Sequence, residues 1–345
     1  MNKFTYTRVV YALMALLMWS ATSARALESL WTPLQLSLTP PVQLPNESCN
    51  VYGLSAGLLR VGVHTKLPKD VLGLDHEDVV GLQLAGYDCY VKELIGAQAA
   101  LFFASCSQRL IGLQMSGVGN FAHDLPLGVQ VSGLANYLRS DMGVGGQLAG
   151  LCNECQTTGG AQVALGWNQC VSGAGLQLAA ANTAISAFLG LQFGLFNWGE
   201  GTSGRVEKRH EIQEGRIQSF GRPTSSHAGV GELLGVQAGL VNKAVELYGV
   251  QTGLLWNDAR MARGLQIGAV NTAEGVAGIQ CGLLNSRPTS VTGLQVGLIN
   301  RADHVTGVQV GFYNHTRSMT GIQLGLLNII EENNVLLIPL INAHF

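Results

Sequence analysis

One eight-residue phrase occurs twice, 14 residues apart, as Gly293-Leu-Gln-Val-Gly-Leu-Ile-Asn300 and Gly307-Val-Gln-Val-Gly-Phe-Tyr-Asn314. A unit this short cannot bury an apolar face by itself, so it must stack on copies of itself. The glutamines mark the period. A first array carries Gln83, Gln98, Gln114, Gln130, Gln147, Gln162, Gln177 and Gln192, at spacings of 15, 16, 16, 17, 15, 15 and 15. A second carries Gln237, Gln251, Gln266, Gln280, Gln295, Gln309 and Gln323, at spacings of 14, 15, 14, 15, 14 and 14.

Within a repeat the first six positions alternate strictly, which predicts a β-strand. Leu294, Val296 and Leu298 fall on one face, and Gly293, Gln295 and Gly297 on the other. Asn300 then ends the alternation, and Ala302 and Val305 return to the core. Two all-β architectures can use this 14–17-residue unit. The preferred reading is a parallel β-solenoid, one coil per repeat, stacked at ~4.8 Å per rung. Its apolar stack would be Leu294, Val296 and Leu298, and its side-chain amides would form ladders, with Gln83 to Gln323 as the glutamine ladder. The alternative is an antiparallel outer-membrane β-barrel with one strand per repeat, glutamine and glycine facing the lumen and leucine facing lipid.

Three features favour the solenoid. Every copy carries the same pattern, so every copy expects the same environment. The copies from Gln114 to Gln147 share one extra residue, as in Gln130-Val-Ser-Gly133, which stacked coils require of neighbours. The apolar stripe spans roughly 17 Å at ~3.3 Å per residue, against the ~25 Å band of a barrel. A low charged fraction of 12% and the terminal Phe345 speak for the barrel.

The organisation follows from the period. Residues 1–26 read as a signal peptide: Lys3 and Arg8, an apolar run from Val9 to Trp19, and Ala24-Arg25-Ala26 as the cleavage site. That run is about half of the ~20 residues that span a bilayer. Residues 27–78 hold an N-terminal cap with degenerate repeats, interrupted by Pro40, Pro41 and Pro45. The first array covers 79–198 and the second, with a C-terminal cap, 235–345. Leu336–Asn342 reads as a last copy. Between the arrays, 199–234 holds the dense charge cluster Arg205–Arg216 and reads as an extruded charged loop, or as three decayed repeats, since Gln192 and Gln237 lie 45 apart. A net charge of −2 gives no case for nucleic acid.

The phrase Gly-Leu-Gln-φ-Gly-φ-φ-Asn, together with Pro41-Val42-Gln43-Leu44, resembles a family of exported bacterial surface-repeat proteins. The resemblance covers nearly all of the chain beyond the leader. It implies a Gram-negative cell envelope or surface, and no established activity.

Candidate chemistry is sparse, and the expected catalytic, cofactor and metal sets are all none. Gly53-Leu-Ser55-Ala-Gly57 matches a nucleophile elbow, but Ser55 stands where the repeat places its glutamine. Cys152-Asn-Glu-Cys155 lacks a second pair or a histidine at ligand spacing. Cys155 and Cys170 each lie two residues past an asparagine in consecutive copies. At one rung apart they fall within the ~4.4–6.8 Å Cα range of a disulfide, so a Cys155–Cys170 bridge is expected in an exported protein. Cys281 reads as a buried thiol. Asp75, His76, Glu77 and Asp78 read as a solvated turn. Trp167, Trp198 and Trp256 pack at coil edges or form an interfacial girdle. The expected role is therefore adhesion or ligand binding by a non-enzymatic scaffold, its partner a surface ligand or envelope component, with possible outer-membrane association.

Overall fold

The computed structural model describes residues 31–39, 42–44, 50–61, 78–139, 143–199, 231–286, 288–333, 335 and 337–345. The expected leader, Asp75–Glu77 and most of 199–234 lie outside these. The described residues form an all-β chain without helix, a parallel β-solenoid of about 14 turns. Consecutive copies pair parallel and in register: Gly278 with Gly293, Gln280 with Gln295, Asn285 with Asn300. The barrel is thereby excluded, because an up-and-down barrel pairs neighbouring strands antiparallel.

Two compact units divide the chain, Met1–Gln169 and Cys170–Phe345. In the first, Ser55 pairs with Gln83, and the register continues Gln83–Gln98–Gln114–Gln130–Gln147–Gln162. In the second, Gln192 pairs with Gln237 and Asn197 with Asn242, so those two repeats occupy adjacent rungs. Three decayed repeats would have to lie outside the stack between these two rungs, as the extruded loop does.

The expected orientation of the strand is also overturned. In the coil of Gln295 the buried side chains are Val291, Gln295, Asn300 and Ala302, whereas Leu298 is 58% exposed and Leu294 and Val296 are half-buried. The return of Ala302 and Val305 to the core, expected from the sequence, is observed. The pattern recurs: an aliphatic residue four before many of the glutamines (Val79, Leu94, Leu110, Leu233, Leu247, Val276) is buried, as is the small residue two past many asparagines (Ala122, Ala184, Ala244, Ala273). Amides can occupy such an interior because the stack supplies each one with an identical partner at the rung spacing, and a satisfied buried amide carries little penalty.

Glycine makes the coil this tight. The glycine at one corner takes a φ between 128° and 147° in fifteen coils, two before Ser55 at Gly53 and two before a glutamine in the other fourteen, to Gly321. A Cβ at Gly293 would also strike the carbonyl oxygen of Gly278. That corner is closed to other residues on two counts. The glycine two after the glutamine answers to the backbone of the preceding coil and to the asparagine column: a Cβ at Gly297 would lie 2.4 Å from Gly282 O and 2.8 Å from Asn285 Nδ2.

Among the described residues, each unit carries one reversed strand. Val42–Leu44 pairs antiparallel with Trp31–Thr39, and Leu337–His344 pairs antiparallel with the last coil, His344 opposite Gly321 and Asn342 opposite Gln323. Leu336–Asn342 is therefore not a further parallel copy. After Ile330 the chain turns through Glu331–Asn333, with Asn333 N donating to Ile330 O at 3.2 Å. Covering the terminal rungs in this way blunts the open edges that parallel stacking would leave.

Candidate functional site

Two amide columns run through the interior. In the first unit Gln98, Gln114, Gln130, Gln147 and Gln162 each donate from Nε2 to the Oε1 of the preceding glutamine, at 2.7–3.0 Å. In the second, Gln192 donates to Gln177, and Gln237, Gln251, Gln266, Gln280, Gln295, Gln309 and Gln323 continue the column at 2.6–2.9 Å. The expected glutamine ladder thus exists, but inside the coil rather than opposite an apolar stack. Its invariance within the chain was the available signal: neighbouring strand positions vary among Leu, Val, Ile, Phe and Ala while the glutamine stays.

The asparagine column has the opposite polarity. Asn120 Nδ2 donates to Asn136 Oδ1 of the following coil, and Asn136 to Asn153, at 2.8–2.9 Å. In the second unit the same forward donation runs from Asn182 through Asn328. The second hydrogen of each amide commonly goes to a backbone carbonyl of the next coil, as from Asn300 to Val310 O at 2.9 Å. Glutamines donate backward and asparagines forward, so the two columns of amide dipoles oppose one another. The columns end where the repeat ends. Asn120 Oδ1 has no donor because Ala104 holds the preceding position, and Gln323 Oε1 has none because the reversed strand follows.

The nucleophile candidates are absorbed into this interior. Ser55 is fully buried and donates to Gln35 Oε1 at 2.5 Å, a ladder rung rather than an elbow. Cys155 and Cys170 are buried thiols, each accepting from a glutamine amide at 3.4 Å, Gln162 and Gln177 respectively. The expected disulfide is not formed. Burial pushes the Cys89 and Cys106 thiols up to about 12 and also raises Cys152, so the thiolate is disfavoured at all three. Cys281, expected in the core, is half-buried on the outer surface, since the residue after each glutamine points out. Asp78 alone of its cluster is described; burial raises its carboxyl above the ordinary range. No group of three metal-ligating side chains occurs among the described residues.

The outer surface is two-sided. From the residue before the glutamine to the residue before the asparagine the flank is apolar. Leu254 (71%), Leu283 (59%) and Phe312 (56%) stand out in the second unit, and Leu101 and Leu134 in the first. From the asparagine to the next glycine the flank is polar and charged, as Arg301, Asp303 and His304 show. Ion pairs bridge rungs there: Arg109 to Glu93 at 3.0 Å, and Arg260 and Arg263 to Glu246 at 3.0 and 3.5 Å. The tryptophans mark the border. Trp167, Trp198 and Trp256 are 39–44% exposed; Lys243 Nζ sits 4.7 Å over the Trp198 ring, and Trp256 Nε1 donates to Thr272 Oγ1. No protein-family model matches this chain, and no curated protein or solved structure matches it either.

Proposed function

We propose that this protein is an exported, non-enzymatic scaffold of the bacterial envelope that binds a surface ligand or envelope component along its polar flank, in adhesion or a related task. The observation that carries the reading is the sidedness of the coil. Charged and aromatic side chains repeat at the rung spacing on one flank, and the longest interval in the second unit opens after Gly199 and closes at Glu232 on that same flank. In stacked-repeat proteins such insertions gather on the face that binds.

The leader-like N-terminus and the resemblance to exported surface-repeat proteins support the compartment. A non-enzymatic role is supported by the fate of these nucleophiles, since Ser55, Cys155 and Cys170 are tied to ladder amides and Cys89 and Cys106 have their thiolates suppressed. The test is fractionation of expressing cells with N-terminal sequencing, then binding to isolated envelopes. The expected product starts near Leu27 and is recovered from the envelope. Charge reversal at Arg260, Arg263 and Arg301 should weaken its binding to envelopes. Recovery in the cytoplasm with Met1 retained, or binding indifferent to those charges, would sink the proposal.

A further inference from the structure

The apolar flank of the second unit is a surface of unusual uniformity. Nine rungs, those of Gln177, Gln192, Gln237, Gln251, Gln266, Gln280, Gln295, Gln309 and Gln323, carry no charged side chain from the residue before the glutamine to the third residue after it. Relief runs along it in rows. The third residue after the glutamine forms a ridge, with Leu254 71%, Leu283 59%, Leu298 58% and Phe312 56% exposed. Beside the ridge lies a shallow groove floored by Gly253, Gly268, Gly282 and Gly297 and walled by Ile267 and Val296.

We infer that this flank is the interface of a homodimer, in which the leucine ridge of each copy seats in the glycine groove of the other. The area is of the right size. Five residues at ~3.3 Å and nine rungs at ~4.8 Å give a face of ~17 by ~40 Å, or ~650 Å². Apolar patches on monomers reach ~300–600 Å², and a stable interface takes ~800 Å² from each partner. Corner side chains such as Leu255 and Ile299 widen the face further toward that value.

Charge and shape both fit a second copy. Neither face has a charge to desolvate, so apolar burial is not offset by unpaired ions. A surface carrying one ridge and one groove side by side complements itself under a two-fold rotation, and such an isologous contact closes on itself without forming a fibre. A bilayer fits less well. Helices that lie on membranes are rich in Lys and Arg beside their apolar face. Here Lys and Arg number 20 against 22 Asp and Glu, and the row past the asparagines mixes Lys243 and Arg301 with Asp258, Thr272 and Ser286. The inference does not depend on the ligand-binding reading, which concerns the opposite flank.

Sedimentation equilibrium of the purified protein without detergent tests it. The expected mass is two chains at ~10 μM, falling to one chain in the double variant Leu283→Asp/Leu298→Asp with an unchanged β circular-dichroism spectrum. A second variant guards against misfolding. In a Cys281→Ala background, because Cys281 lines the same groove, Leu298→Cys keeps the face uncharged and, treated with a short bis-maleimide, should give a two-chain band absent from the Cys281→Ala protein and from urea-unfolded samples. A one-chain mass at 100 μM, or a two-chain mass that survives the double variant, would overturn the dimer. So would a one-chain protein that floats with neutral phosphatidylcholine vesicles in a Leu298-dependent way; that outcome would assign the flank to lipid.

Discussion

Gln237 Nε2 donates to Gln192 Oε1 across 2.8 Å although 45 residues separate the two in the chain. The rung closes as if the intervening segment were absent. In the neighbouring coil Ala184 and Ala187, the partners of Gly199 and Glu232, are separated by only two residues. Glu200 and Gly231 can therefore bridge the same gap. Deleting 201–230 should leave the circular-dichroism spectrum unchanged and should maintain or raise stability, by up to ~2 kcal/mol from the shorter loop. A large fall in Tm would mean that the segment packs on the stack.

Replacing a single rung tests the ladder. Gln295→Leu strands the Oε1 of Gln280 and the Nε2 of Gln309, both buried, where each orphaned group costs ~1–3 kcal/mol. Urea unfolding should show a loss of ~2–6 kcal/mol. Leu298→Ser, on the exposed ridge, should cost far less under conditions where the protein is monomeric. Equal losses at the two sites would contradict the inverted orientation of the strand.

Gly293→Ala tests the corner. Its φ of 137° is strained for any residue with a Cβ, and the added atom would meet the Gly278 backbone. The expected loss is ~3 kcal/mol or more. Gly119→Ala is the control, since a Cβ there comes no closer than 3.5 Å to its neighbours and would make ordinary contacts.

The thiols give a chemical test. With their thiolates suppressed by burial, Cys89 and Cys106 should resist iodoacetamide at pH 8 in the native protein and react once it is unfolded, as read by peptide mass mapping. Because Cys155 and Cys170 stand as thiols, dithiothreitol should leave the Tm of the protein unchanged.

Glu154 links stability to pH. Burial raises its carboxyl above the ordinary value, so the folded chain holds a proton that the unfolded chain releases. Its stabilising contribution is present below the unfolded pKa and is lost as pH rises through the raised folded one. Glu154→Gln should therefore raise Tm relative to the parent at pH 7 and bring no such gain near pH 3.5.

Much of this was legible in the sequence. A period equal to one strand, and spacing changes shared by neighbours, determined that copies stack in parallel and that glutamines meet glutamines. Those are properties of a repeat, since identical units prefer identical surroundings. Which face turned inward was decided only by the tertiary structure. Alternation marks two faces without labelling them, and hydropathy favoured Leu294, Val296 and Leu298 for the interior. The coil selected Gln295 and Asn300 instead. Only a stack offers each buried amide a partner above and below. The reversed strand at Leu337–His344 was likewise invisible along the chain, and of the two readings of 199–234 only the pairing of Gln192 with Gln237 chose the extruded one. Both depend on which edges remain unpaired once the coils have closed.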